Sequence, residues 1–466
     1  MTAADRYGPY GWHDDRPEYG KIKVAWDTID WSSLQNHCLQ RNALRFQHPT
    51  PIRPGERRFR MREADEDIKV PIPEPLGAQY NPRTAIVFRA REGYNYTTED
   101  LVNLRATITE TSLRFGSDYT VFLLVDVKDT SRNIFSTEAD YQRAIFDLVP
   151  PEFQGITVLF DETLLASWYP TIKSHSATYQ IMQPLQLFGH FYPEFAHVWQ
   201  LELDVRFTGH AGRYLTALAA FARAQPRKQA AERSTWFYMP SVHGPYSALL
   251  AAVNATLSGG GGVAWPSLAL PTPASGFLPL GPSGPPDPLD DDFAWGVGDE
   301  ADFIAFAPCA HIPFLRDWYW RDWHQGFGRR RAPPGGWMCQ PAMGRASRVL
   351  LQAVHHAQAR LGLAIHSEAT LSSFALWHGL KLVAPPGPLF QDPRWDERDM
   401  DEVYNGAARQ RPEGMRGMAY GEAVYRGSPW EYVTQKASFW WRSGFPDRIY
   451  DAWLGRKGRS RRCHEP

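Results

Sequence analysis

The sequence contains little cysteine, and none of it in a metal-binding or redox spacing. Its four cysteines, Cys38, Cys309, Cys339 and Cys463, are scattered along the chain without a CxxC pair. Zinc ribbons, iron–sulfur sites and thioredoxin-type motifs need such a spacing, so these classes are excluded. A disulfide between two of the four cysteines remains open.

Long apolar runs are also missing. The best candidate, residues 215–221, is short and is bounded by Arg213 and Arg223, whereas a membrane-spanning helix needs about 18 or more apolar residues. The sequence therefore predicts no membrane span. Residues 1–20 contain no apolar segment of the kind that a signal peptide carries.

Neither sign of charge is in excess. Fifty basic residues stand against 51 acidic ones in a chain of 466 residues, so no overall field would attract nucleic acid or an anionic membrane. We therefore expect no nucleic-acid partner. Hydrophobic residues make up 43% of the chain, which is enough to build the sizeable core of a globular protein.

Composition divides the chain into three parts. Residues 1–80 are rich in proline, arginine and charge, and we expect them to form an arm packed on the core. Residues 81–400 form the main domain, which contains a Gly/Pro-rich insertion at 258–292. Residues 401–466 are predicted to be a C-terminal extension that packs on this domain.

The main domain alternates strands with helices. Apolar runs at 84–89, 119–125, 156–160 and 198–203 predict four strands, and helical spacing predicts a helix between each pair. This pattern indicates an α/β fold with a mostly parallel, Rossmann-like sheet flanked by helices. In such sheets ligands bind beyond the carboxyl ends of the strands. Later in the chain, helices are predicted at 345–361 and 368–378, and a strand at 381–383.

The end of the fourth predicted strand carries two acids on one side. Alternation along a strand places Gln200, Glu202 and Asp204 on the same face. Carboxylate oxygens suit Mg2+ or Mn2+, which also bind phosphate oxygens, so the pair predicts a divalent-metal site. The alternative is that both acids are solvated and pair with Arg206.

Other side chains in the main domain offer further contacts. Arg89 and Arg91, after the first strand, could bind a nucleotide diphosphate through bidentate hydrogen bonds, or could simply be solvated. Trp318, Trp320 and Trp323 could stack on a sugar ring, although such aromatic groups are more often part of a core.

The Glu-x-Asp segment at 202–204 resembles the acidic metal-binding motif of GT-A glycosyltransferases. The chain as a whole is similar to a fungal family of uncharacterised proteins, which are often labelled automatically as major facilitator transporters and which resemble those transferases. Residues 7–11, 199–209, 295–302, 367–368 and 378–381 carry this similarity. The transporter label does not fit a chain in which no membrane span is predicted.

The resemblance implies a GT-A-like fold and a metal-dependent glycosyltransferase that moves a sugar from a nucleoside diphosphate sugar to a glycan or another hydroxyl acceptor. Asp204 would bind Mn2+ or Mg2+ directly, Glu202 would assist or contact the ribose, and His378 would be a third metal ligand. Glu368 would be the catalytic base of an inverting reaction. Because His378 and Glu368 lie ten residues apart on one helix, about 15 Å, at most one of them can touch the metal.

Two other functions remain open from the sequence. One is a carbohydrate- or nucleotide-binding protein of the same fold without turnover, and the other is a metal-dependent phosphoryl- or nucleotidyltransferase that uses the same two acids. The location is also open: the Golgi lumen if an N-terminal anchor precedes this chain, and otherwise the cytoplasm. Two sequons, Asn95-Tyr96-Thr97 and Asn254-Ala255-Thr256, would matter only in a secretory compartment.

Overall fold

A computed structural model describes most of the main domain and part of the arm. The described residues are 24–52, 57–68, 77, 79–234, 236–257, 279–285, 291–306, 309–312, 319–327, 333, 336–339, 341–386, 398 and 401. Most of the predicted insertion and nearly all of the predicted C-terminal extension lie outside these residues, as do Trp318 and the stretch 7–11.

A seven-stranded sheet forms the centre of the fold. In chain order the described strands are β1 (Arg83–Arg91), β2 (Tyr119–Val127), β3 (Thr157–Asp161), β4 (Phe195–Glu202), β5 (Phe303–Ala305), β6 (Ala310–His311), β7 (His324–Gln325), β8 (Trp337–Met338), β9 (Met343–Ser347), β10 (Ala364–Ile365) and β11 (Leu382–Val383). The spatial order of the large sheet is β11-β5-β9-β4-β1-β2-β3, and β6 pairs with β8 while β7 pairs with β10.

Six strands of the large sheet run in one direction. β9 alone is antiparallel to its neighbours, β4 and β5, whereas β1, β2, β3 and β4 pair in parallel, as do β5 and β11. We call the edge at which β1 and β4 end the carboxyl edge, and the opposite edge the amino edge. The structure confirms the predicted α/β fold with a mostly parallel sheet.

Helices cover both faces of this sheet. They are α1 (Trp31–Arg41), α2 (Thr98–Ile108), α3 (Glu138–Leu148), α4 (Glu162–Trp168), α5 (Ala177–Gln180), α6 (Gln183–Phe191), α7 (Ala211–Ala224), α8 (Ala230–Arg233), α9 (Pro240–His243), α10 (Tyr246–Leu257), α11 (Arg348–Leu361) and α12 (Ser367–Trp377). Residues 85–88 of β1 are completely buried, as expected of a strand that is covered on both faces.

Strand β9 corrects one prediction. The helical spacing at 345–361 was expected to begin a helix at Arg345, but residues 343–347 form a central strand, and α11 begins at Arg348. Gly344 gives the physical reason, because a Cβ atom there would lie 3.3 Å from the Ile304 oxygen and from the Phe303 ring. Close packing between strands thus overrides a weak local pattern.

Part of the arm packs on the sheet. Trp31 and Leu39 of α1 are buried, and the Gln35 side chain exchanges two hydrogen bonds with the backbone of Val121. Phe59, which lies in the second described segment of the arm, is also fully buried.

The order of the strands predicts a crevice at the carboxyl edge. From β1 the chain moves to β2 and β3 on one side, and β4 then pairs on the other side of β1. In α/β sheets such a reversal opens a crevice beyond the carboxyl ends of the two adjacent strands, where ligands bind. Here those strands are β1 and β4.

Candidate functional site

The acid pair lies at the mouth of this crevice. Glu202 is the last residue of β4, so the strand ends one residue earlier than predicted, and Asp204 lies in the turn that follows instead of on the strand face with Glu202. Arg89 and Arg91, predicted to follow the first strand, lie within β1. Arg89 is the register partner of Glu202, so the strand pairing brings this arginine and this acid together. Glu202 is half-buried and Asp204 is exposed.

A salt bridge fixes one of the two acids. Arg89 Nη2 lies 2.7 Å from Glu202 Oε1, and the Arg89 side chain is only 10% exposed. The guanidinium also approaches the backbone oxygens of Ile181 and Pro341, each at 3.4 Å. The Glu202 backbone N–H donates to the oxygen of Ala342 at 3.0 Å. Arg89 therefore orients Glu202 and ties the crevice to the segment 339–342.

The electrostatics of the pair favour a bound cation. Burial raises the pKa of Glu202, and the neighbouring Asp204 carboxylate raises it further, against the opposing effect of Arg89. Desolvation by the surrounding protein likewise raises the pKa of Asp204, with Arg206 opposing the rise and Asp100 adding to it. In both cases the neighbouring arginine does not compensate for the loss of solvation, so an added positive charge would stabilise the ionised pair.

Arg206 is held by another acid. Its guanidinium hydrogen-bonds Asp100, which is 1% exposed, and also the backbone oxygen of Leu203. Asp100 accepts from Tyr94 Oη at 3.1 Å and from the Thr97 backbone N–H at 2.8 Å. This buried network lies behind Asp204 and secures the loop between β1 and α2. Its signal in the sequence is the capping box formed by Thr97 and Asp100.

Glu368 is on the same edge of the sheet. It is half-buried in the first turn of α12, and its backbone oxygen accepts from the Cys339 N–H at 2.9 Å. Cys339 begins the segment 339–342, whose Pro341 oxygen contacts Arg89. The structure thus connects Glu368 to the acid pair through backbone contacts, without showing a direct contact between the carboxylates.

An aromatic cluster surrounds the beginning of α12. Trp320 stacks on His366 with ring centroids 4.5 Å apart, and Trp323 stacks on Tyr179 at 4.9 Å. The cluster is anchored at α5, because Ser367 Oγ donates to the Thr178 oxygen at 2.8 Å. Trp320, Trp323 and Tyr179 are all partly exposed.

His378 lies at the other edge. It caps the carboxyl end of α12 and precedes β11, which runs in the same direction as β4. Because β11 is three strands from β4, the two are separated by about 14 Å sideways, with His378 before its strand and Glu202 at the end of its own. The structure does not bring His378 to the acid pair.

The amino edge is instead a network of satisfied charges. Lys381 Nζ donates to the backbone oxygens of Arg223, Gly296 and Asp299 at 2.8–3.1 Å. The half-buried Asp302 carboxylate accepts from Ser347 Oγ and from the Lys381 backbone N–H, both at 2.9 Å. The stretches 295–302 and 378–381 thus bond to each other away from the crevice.

Arg91, the second predicted arginine, does not contact the acid pair. Arg91 is exposed and donates to the Glu92 backbone oxygen at 3.3 Å, so the structure leaves it at the rim of the crevice rather than against the acids. Within the described ranges, no group of three or more His, Cys, Asp or Glu residues could hold a metal ion. Any metal here would rest on the two carboxylates.

The structure also resolves the open cysteine question. Cys309 and Cys339 form a disulfide, and both are buried. Their separation of 30 residues carries no pattern that could have selected this pair from the four cysteines. The bond braces the beginning of the segment 339–342.

Comparisons with known proteins identify a family without an assigned reaction. None of the helices that the structure describes is both long and apolar enough to cross a membrane. A search of curated proteins finds no match. A family profile matches residues 2–465, which confirms the similarity to an uncharacterised family. The chain belongs to the family described as protein of unknown function (DUF3405).

Proposed function

We propose that this protein is a metal-dependent glycosyltransferase of GT-A-like fold, which moves a sugar from a nucleoside diphosphate sugar to a hydroxyl acceptor. One observation carries the proposal: two carboxylates with raised pKa lie together at the crevice between β1 and β4. Such a pair costs stability at neutral pH, and that cost is offset when a cation binds.

The donor atoms fit Mg2+ or Mn2+. These ions take hard oxygen ligands, and Mg2+ in particular is often held by one or two carboxylates together with substrate phosphates and water. Asp204 and Glu202 would be the protein ligands. When bound, the ion would stabilise the negative charge of the departing nucleoside diphosphate. Arg89 already occupies one oxygen of Glu202, so Asp204 is the stronger candidate for direct binding.

The remaining residues have separate roles in this proposal. Glu202, fixed by Arg89, would assist the metal or contact the ribose. Arg89 acts mainly as a positioning residue for Glu202, while the exposed Arg91 could reach the diphosphate. His378 has no role in this metal site because of its place at the amino edge.

Glu368 is the proposed base. A carboxylate that accepts the proton of the acceptor hydroxyl is needed only if the reaction inverts the anomeric centre. The partly exposed rings of Trp320, Trp323 and Tyr179 lie beside the helix turn that carries Glu368. They would give a sugar acceptor an aromatic surface to stack on.

The same acid pair would also suit a non-catalytic nucleotide-sugar binder or a metal-dependent phosphoryl- or nucleotidyltransferase. Product analysis with nucleoside diphosphate sugars separates the three functions. A transferase releases free sugar slowly when water replaces the acceptor, a binder releases nothing, and a phosphoryl- or nucleotidyltransferase cleaves a phosphate bond instead.

The first test is thermal unfolding with UDP- and GDP-sugars, each in Mn2+ and in EDTA. A ligand at 100 times its Kd adds about 2.7 kcal/mol to the free energy of unfolding, and we expect Tm to rise by about 3 °C. Asp204→Asn should lose this rise. Asp126→Asn is the matched control, because Asp126 also ends a strand at this edge with a raised pKa but pairs with Lys128.

The rise in Tm of the wild type and of the two variants decides whether the proposed metal site is right. A metal-dependent rise that Asp204→Asn abolishes and Asp126→Asn retains would support the site and identify the donor. If folded wild-type protein shows no rise with any donor, or if Asp204→Asn keeps the full rise, the proposed metal site is wrong.

A further inference from the structure

The loop between β1 and α2 presents one side chain outward. Tyr94 and Tyr96 turn inward, with ring centroids 5.1 Å apart, and the Tyr94 hydroxyl donates to Asp100. Asn95, between them, is exposed and makes no side-chain hydrogen bond to the residues that the structure describes. The two tyrosines are thus half-buried against the core, and the asparagine between them is exposed.

Asn95 begins a sequon, and the loop conformation does not depend on its side chain. Thr97, the third residue of the sequon, is the N-cap of α2: its hydroxyl accepts from the Asp100 N–H at 3.3 Å and bonds the Asp100 carboxylate at 2.9 Å. The cap and the two tyrosines hold the loop from the inside. A large group attached to Asn95 would therefore project into solvent without disturbing these contacts.

The second sequon differs in each respect. Asn254 lies within the helix α10, next to Val253, which is 3% exposed. The Asn254 side-chain oxygen is shielded from solvent. Asn254 is therefore half-buried within a helix whereas Asn95 is exposed in a loop, so the structure favours Asn95 as the acceptor.

The disulfide independently indicates the compartment. Cys309 and Cys339 are bonded within the core, and stable structural disulfides form mainly in oxidising compartments such as the lumen of the secretory pathway. Asparagine in the Asn-x-Ser/Thr pattern receives its glycan in that same pathway. The exposed asparagine and the disulfide thus both indicate the secretory pathway.

We propose that Asn95 carries an N-linked glycan. The co-reactant is a lipid-diphosphate oligosaccharide, presented by the host's own transferase. The Asn95 side-chain nitrogen forms a bond to the anomeric carbon of the sugar, the bond from that carbon to the diphosphate oxygen breaks, and the nitrogen gives up one proton as the lipid diphosphate leaves. This inference does not rest on the proposed glycosyltransferase activity.

The glycan would stand at the rim of the crevice. The inner side of its loop bonds Asp100, which holds Arg206 behind Asp204. A bulky, hydrated group at this position would flank the entrance to the acid pair, so large acceptors would have to approach from another direction, such as past the aromatic rings beside α12.

The test is secretion of the full chain from a eukaryotic cell behind a cleavable leader, followed by treatment with a peptide N-glycosidase and mapping of glycopeptides. The wild type should lose the mass of one glycan, located at Asn95. Asn95→Gln should show no loss, and Asn254→Gln should behave like the wild type. Thr97→Asn removes the sequon but keeps a good N-cap, so it should be folded and unglycosylated.

Three results would overturn the inference. These are secreted, folded wild-type protein that resists the glycosidase, a glycan that persists in Asn95→Gln, and a chain that stays in the cell with reduced cysteines and no glycan. The Tm of Thr97→Asn, compared with that of the wild type, separates a loss of glycan from a loss of folding.

Discussion

The carboxyl and amino edges of the central sheet both carry charged side chains, but they satisfy those charges differently. At the amino edge Lys381 donates three hydrogen bonds to backbone oxygens, and the half-buried Asp302 carboxylate accepts two. At the carboxyl edge Arg89 bonds Glu202 and also two backbone oxygens. Asp204 remains exposed, and its pKa is raised. The carboxylates at the two edges therefore differ in how they are bonded.

The difference helps to separate structural charges from functional ones. A buried charge with all its hydrogen bonds made stabilises the fold at the positions it connects. Desolvation raises the pKa of Asp302 as well as that of Asp204. What distinguishes the carboxyl edge is exposure, because Asp204 is open to a cation from solvent whereas the Asp302 carboxylate accepts two hydrogen bonds from the protein. Resemblance to a family cannot make this distinction, since stretches at both edges carry the similarity.

The largest expected loss of stability comes from the brace at the carboxyl edge. Replacing both Cys309 and Cys339 by serine should lower the free energy of unfolding by about 3–4 kcal/mol, because the unfolded chain loses a closed loop of about 30 residues. The measurement is urea unfolding. Cys38→Ser, which removes a free, half-buried thiol, is the control. Equal midpoints for the double variant and the wild type would contradict the prediction.

Lys381→Met removes the charged donor of the amino edge. Three backbone oxygens lose a charged donor, and we expect a loss of about 3 kcal/mol, which is about 3 °C in Tm. Lys128→Met is the matched control: its pair with Asp126 is at the surface, and we expect a change of less than about 1 kcal/mol. If the two edges are independent, Lys381→Met keeps the rise in Tm caused by nucleotide sugar. A variant that loses that rise while still folded would place function at the amino edge as well.

The smallest predicted effect is a gain in stability, in Asp204→Asn. The folded pKa of Asp204 is raised above its usual 3.8, so the folded state holds the proton more tightly, and stability falls as pH rises through the raised pKa. At higher pH, where Asp204 is ionised, the loss of stability persists. Asp204→Asn should therefore raise Tm slightly at pH 7 without ligand, by no more than about 2 °C, and the gain should shrink towards pH 4. A lower Tm at pH 7 would show that Asp204 is structural.

Much of the carboxyl edge could be predicted from the sequence. The apolar runs of β1 to β4 place their strand ends to within two residues, and parallel strands bring Arg89 beside Glu202. Local signals could not predict β9, because its reason is the close approach of Gly344 to a neighbouring strand. They could not select the partners of the disulfide or predict that Arg206 binds Asp100 instead of the acid pair.

The sequence by itself determined the α/β class, the strands that end in charged residues, and the separation of Glu368 from His378 along one helix, because hydrophobic period and rise per residue are local properties. Only the tertiary structure decided which end of that helix faces the acid pair. That choice depends on the strand order, with β11 three strands away from β4, and strand order arises from packing between residues far apart in the chain.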